Sequence, residues 1–197
     1  MIKKMIVALA VSLGLTSSIQ NHCWAQQTKE EREAAIQAMK SELKSKDAQE
    51  RAEKIAKLEL PADCTVNTID EVKNNSGKML AATREINQLV PEMYKRTIGE
   101  TVDGVTDVTV KKPTLDELMS LAKNITTQVQ VVTEVAKMIP NASGELKNLK
   151  PMSKDFSMAS KCVKFSKEAI ALVGPELEMN LKVTNNLITL LKSSNNY

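Results

Sequence analysis

Between Leu115 and Ile139 the apolar residues Leu115, Leu118, Ala122, Ile125, Val129, Val132, Ala136 and Ile139 succeed one another at steps of three and four without exception. A strand puts successive side chains on opposite faces, so only an α-helix gathers this spacing into one stripe. Sustained over this length, the stripe describes a helix packed lengthwise against neighbours. Pro113 and Thr114 are start signals and Pro140 is a stop signal, so the spacing predicts a helix over 114–139.

The same rhythm recurs three times. Over 63–98 the residues Ile69, Val72, Ser76, Met79, Thr83, Ile86, Val90, Met93 and Thr97 hold the phase, with Asp63 as the expected N-cap and Pro91 as the expected kink or split. Over 151–193 the phase is held by Met152, Phe156, Ala159, Val163, Ser166, Ile170, Val173, Leu177, Leu181, Thr184, Ile188 and Leu191, interrupted by Gly174-Pro175; 151–160 can also be read as a separate short helix. Segment 28–60 opens on Thr28 and Glu31, a capping-box pair, and Pro61 ends it. Its apolar stripe of Ile36, Met39 and Leu43 slips phase before Ala48, Ala52 and Ile55 resume it.

These segments predict an all-α fold, an up-down bundle of about four long helices in which the second and fourth lie parallel and diagonal. Connection 140–150 reads as a polar turn. Connection 99–113 differs from the rest. β-Branched residues flank Asp103-Gly104, a favoured hairpin turn, so a small β-hairpin and an extended loop are both compatible with it. Its exposed valines and turn make Val102, Asp103, Gly104, Val105 and Val108 the candidate partner surface.

The N-terminus has the three parts of a secretory signal: Lys3-Lys4, an apolar run from Met5 to Leu15, and an exit ending Cys23-Trp24-Ala25. The run is too short to span a membrane, which takes about 20 residues. Cleavage is expected after Ala25, leaving residues 26–197 as one domain without a transmembrane segment. An uncleaved anchor and a lipid on Cys23 are the alternatives; the polar Gln20-Asn21-His22 argues against lipidation. The lysine-led signal is of bacterial type, so the expected location is periplasmic or secreted.

Cleavage would remove the single His, His22, and the single Trp, Trp24. It would also leave 25 basic residues against 24 acidic ones, once Lys3 and Lys4 are gone. Neither nucleic acid nor an anionic membrane is implied by so even a balance. A chain without histidine has no Ser-His-Asp or Cys-His nucleophile, no histidine zinc ligand and no Glu-x-x-His di-iron set. No glycine-rich phosphate loop or calcium loop occurs, and Ser41-x-x-Lys44 lacks the companion motifs of serine-lysine enzymes.

Cys64 and Cys162 would remain as a pair. In an oxidising compartment they are expected to form a disulfide, closing a loop of roughly 100 residues for on the order of 4–5 kcal/mol. The leading functional expectation is an exported interaction protein (scaffold, adaptor or chaperone-like) that binds an unknown protein partner, without catalysis, cofactor or metal. The second is a carrier of a small apolar ligand in the bundle core, suggested by polar residues in the seams and proline kinks. A hydrolase working without histidine is the third.

Overall fold

The computed structural model describes residues 28–102, 105–107 and 111–194. Residues 1–25, with the signal sequence and its cleavage point, lie outside the described residues. Five helices are packed together: α1 (Lys29–Leu43), α2 (Lys46–Lys57), α3 (Asn67–Ile98), α4 (Leu115–Asn148) and α5 (Lys154–Ser194). The chain is all-helical in class, but the count differs from the four expected because segment 28–60 is two helices. The break falls at the phase slip. Ser45 caps α2 by accepting from the Ala48 N–H at 3.2 Å, and the chain turns there so that Met39 and Ile55 both reach the core.

Helices α3, α4 and α5 each pack against the other two. The expected diagonal relation of the second and fourth segments does not hold, since α3 and α5 are direct neighbours. One cluster joins the start of α3 (Ile69, Val72), the end of α4 (Val135, Ala142) and the start of α5 (Ala159, Val163). A second joins Val90 near the end of α3, Leu118 and Leu121 near the start of α4, and Leu187 and Leu190 near the end of α5. Thus α4 runs against α3 and α5. Helices α1 and α2 lie on α5, tied by ion pairs from Lys182 to Glu42 at 2.7 Å and from Arg51 to Glu176 at 2.8 Å.

The α3 stripe is buried as its spacing requires, from Ile69 through Val72, Ser76, Met79, Thr83 and Ile86 to Val90. In α4 the buried line also takes in Leu121, Val135 and Ala142, because one narrow seam cannot face both α3 and α5. Proline acts less strongly than expected. Pro91 and Pro175 lie inside α3 and α5. Pro140 does not stop α4, nor is 140–150 a turn, for α4 continues to Asn148. The continuation places Ala142, fully buried, and Leu146 in the first cluster, and that packing outweighs the one hydrogen bond a proline removes. Helix α5 starts at Lys154 as one piece, so 151–160 is not a separate helix. Met152, expected in the seam, is almost wholly exposed, in a left-handed conformation before α5.

Between α3 and α4 the strands β1 (Glu100–Val102) and β2 (Val105–Asp107) pair antiparallel, with Val102 opposite Val105. Gly99 closes α3 at φ 87°, where a residue with a Cβ is strained.

The final turns of α4 supply a test of its length. Gly144 is exposed there, and a Cβ added to it would meet nothing within 4 Å. Gly144→Ala is expected to stabilise the protein by about 0.5–1 kcal/mol, through helix propensity alone. A thermal midpoint that falls instead would show that α4 ends near Pro140 in solution.

Candidate functional site

The chain between α2 and α3 is an irregular strap, residues 58–66, and it is held down by charged groups from α3. Arg84 donates from Nε to the Ile55 carbonyl at 3.0 Å, and from Nη2 to the carbonyls of Ala56 at 3.2 Å and Leu58 at 2.6 Å. The guanidinium therefore caps α2, whose last carbonyls have no helical partner. Leu60 then lies over Gly77, where a Cβ would stand 2.9 Å from the leucine methyl. Asp63, expected as an N-cap, accepts instead from the Lys73 ammonium, and α3 starts at Asn67 without a side-chain cap.

Beneath the strap sits a compact cluster. Asp70 accepts from the Cys64 backbone N–H at 2.8 Å and lies 3.8 Å from Lys73 Nζ. Lys73 is 2 % exposed. Burial by itself would pull its ammonium below the usual lysine value; the hydrogen bond and charge of Asp63, with the charge of Asp70, outweigh it, and the net shift is upward. The lysine is therefore charged, buried and paired. Next to it, Thr65 holds φ 67°, a rare conformation for a β-branched residue.

Cys64 and Cys162 face each other across this cluster. Both are buried, and both are free thiols rather than the expected disulfide. Their sulfurs and the Asp70 carboxylate lie within 4.8 Å of one another. Cys162 Sγ also lies 3.4 Å from the Ala62 carbonyl of the strap. Burial raises both thiol pKa values. Cys162 is pushed up to about 12 by burial and the neighbouring Cys64, and Cys64 rises through burial above all, with a backbone hydrogen bond at Val66 opposing the rise and Asp70 adding to it. The sulfurs are close neighbours but not at bonding distance. The sequence foresaw the partnership of these two residues but not its charged surroundings.

Three ligand atoms so close together are the beginnings of a cation site. Binding there would require both raised thiols to lose protons, and the Lys73 ammonium already occupies Asp70.

A second feature lies at the opposite end of the bundle. Arg96 donates to the Lys111 carbonyl at 3.0 Å and pairs with Glu92 at 3.6 Å and Glu117 at 3.5 Å. It thereby ties the C-terminal end of the 99–113 connection and the first turn of α4 to α3. Thr114 and Glu117 form a capping box that starts α4. An open groove of about 490 Å³ results, lined by Leu89, Met93 and Leu121 with Asp116, Glu117 and Asn124 among the polar residues. Leu89 is 37 % exposed and Met119, nearby on α4, 50 %. Of the sequence-predicted partner surface, Val102 and Val105 are paired through their backbones; Asp103, Gly104 and Val108 lie outside the described residues.

Comparison with protein-family models, with curated proteins and with solved structures finds no match to this chain.

Residues that sequence reasoning passed over are Asp70, Lys73, Arg84 and Arg96. A faint signal was available: Lys73 directly follows a seam position, Val72, so it had to be at least half turned inward.

Lys73→Met is expected to lower stability by about 2 kcal/mol, less than for a fully enclosed pair because Asp63 is largely exposed. Since the folded amine titrates above 10.5, the difference between wild type and variant should stay constant up to that pH and shrink only beyond it. Denaturation series at several pH values will read both effects. Separately, iodoacetamide at about pH 8 should label the folded thiols far more slowly than the denatured chain, with labelled peptides quantified by mass spectrometry.

Proposed function

We propose that this chain is an exported interaction protein whose partner docks in the groove between α3 and α4 at the hairpin end. The observation that carries the reading is the groove itself, an apolar floor of Leu89, Met93 and Leu121 beside the one connection whose composition departs from the helices. Its rim includes Asp116 and Glu117, and Glu117 is held below the usual carboxylate range by the Thr114 backbone and hydroxyl and by Arg96. The chemistry suits a polypeptide segment with apolar anchors and a basic flank. Export is part of the proposal and rests on the signal-like N-terminus. No helix among the described residues is long and apolar enough to cross a membrane.

A core carrier has less support. The seam hydroxyls that suggested it are used within their own helices: Ser76 donates to the Val72 carbonyl, Thr83 to Met79, Ser166 to Cys162 and Thr184 to Asn180, each at 2.8–3.0 Å. Leu118, Ile125, Val173, Leu177, Val183 and Leu187 are fully buried along the axis between the long helices. Polar groups turned back on the backbone, in a filled interior, offer little to a guest molecule.

A photocrosslinking residue in place of Ser120, exposed on the groove wall, should trap one discrete partner in the native host, and the same residue in place of Lys161, on the exposed side of α5, should not. Once that partner is purified, Leu89→Asp should weaken its binding at least about tenfold. Native mass spectrometry provides the opposing arm: a small molecule that stays on the folded chain and leaves on unfolding would replace this reading with the carrier.

A further inference from the structure

The strap carries one cysteine over another that is fixed on a helix, and the pair lies apart from the partner groove and does not rest on it. We propose that Cys64 and Cys162 form a redox latch, a dithiol that closes to a disulfide and clamps the 58–66 strap onto α5. The two residues are 98 positions apart, yet their sulfurs lie within 4.8 Å of one another and of the Asp70 carboxylate. A disulfide needs about 2.05 Å between sulfurs. The remaining distance is closed most easily from the Cys64 side, because Cys64 belongs to irregular backbone while Cys162 sits well inside α5.

Charge favours the same outcome. A bound metal would hold two thiolates in a buried place beside Asp70, whereas a disulfide is neutral and leaves the Asp63–Lys73–Asp70 arrangement unchanged. The folded pair is shielded, so exchange requires the strap to lift. Asp63 and Cys64 then leave together, and Lys73 remains on α3 beside Cys162. Its ammonium lowers the cost of the Cys162 thiolate, as it does weakly in the closed state.

The chemistry is thiol–disulfide exchange with a small disulfide such as oxidised glutathione. Cys162 gives up its proton, and the thiolate attacks one sulfur of the oxidant. A sulfur–sulfur bond forms, the oxidant's own bond breaks, and the leaving thiolate takes a proton. Cys64, likewise deprotonated, attacks the Cys162 sulfur of the mixed disulfide and expels the second small thiol. Two protons and two electrons pass from the protein to the oxidant, giving one protein disulfide and two small thiols.

The test uses the purified chain, equilibrated with oxidised glutathione or with dithiothreitol in low urea so that the strap can open. Peptide mapping of the oxidised sample should show Cys64 joined to Cys162, in a chain two hydrogens lighter. Trypsin cleavage after Lys57, at the base of the strap, should be at least about tenfold slower in the oxidised protein, because opening is then restricted. Cys64→Ala should remove the redox dependence of cleavage; the wild-type comparison stands even if that variant folds poorly. Three results would overturn the latch: two thiols persisting after oxidation, a disulfide that leaves strap cleavage unchanged, or one equivalent of zinc held by the reduced chain with both thiols protected.

Discussion

Helix α5 has to bury a stripe much wider than a two-helix seam, and the other elements are arranged to cover it. Glu176, Leu177 and Asn180 are all within 2 % of full burial, and Val183, Thr184 and Leu187 are completely buried. No single antiparallel partner could shield so broad a face. Helices α3 and α4 cover two sides of it, and α1 with α2 completes the cover. The polar members of the stripe then dictate particular partners. Glu176 receives Arg51 from α2, and Asn180 donates to Asn87 of α3 at 2.7 Å. An unpaired carboxylate or amide in that position would cost several kcal/mol. These two contacts therefore set the register of α2 and α3 on α5 as well as contributing to stability.

That cover makes the strap necessary. Helix α2 ends on α5 and α3 starts alongside it, so the connecting chain must cross the end of the bundle with its backbone groups exposed to a partly apolar surface. Arg84, Asp70 and Lys73 supply the missing hydrogen bonds and charge. The cysteine pair is a consequence of this crossing. Cys64 is delivered to Cys162 by a segment tied down at three points, and the resulting burial raises both thiol pKa values. Arg96 does comparable work at the other end, where it sets the distance between the 99–113 connection and the groove.

Much of the helical content was legible because burial along a helix leaves a periodic record. The α3 residues from Ile69 to Val90 are buried in the order their spacing requires, and the phase slip after Leu43 marks the break between α1 and α2. Proline was the misleading signal. Pro140 removes one hydrogen bond locally, whereas the turns that follow gain the burial of Ala142, a tertiary contact with no local trace. Asp63 likewise has the chemistry of an N-cap, but the ammonium of Lys73, ten residues on, competes for it successfully.

The sequence by itself determined the helical class, the faces that α3 buries, and the absence of histidine from everything after His22. Each of these depends on residue type or on spacing along one element. Only the tertiary structure decided that α3 and α5 are neighbours, that α4 passes through Pro140, that the seam hydroxyls turn back on their own helices, and that two thiols share a buried site with Asp70 and Lys73. Those outcomes depend on which surfaces meet. Contacts between residues 98 positions apart are selected by the packing of whole helices, and that energy is not written in any single segment.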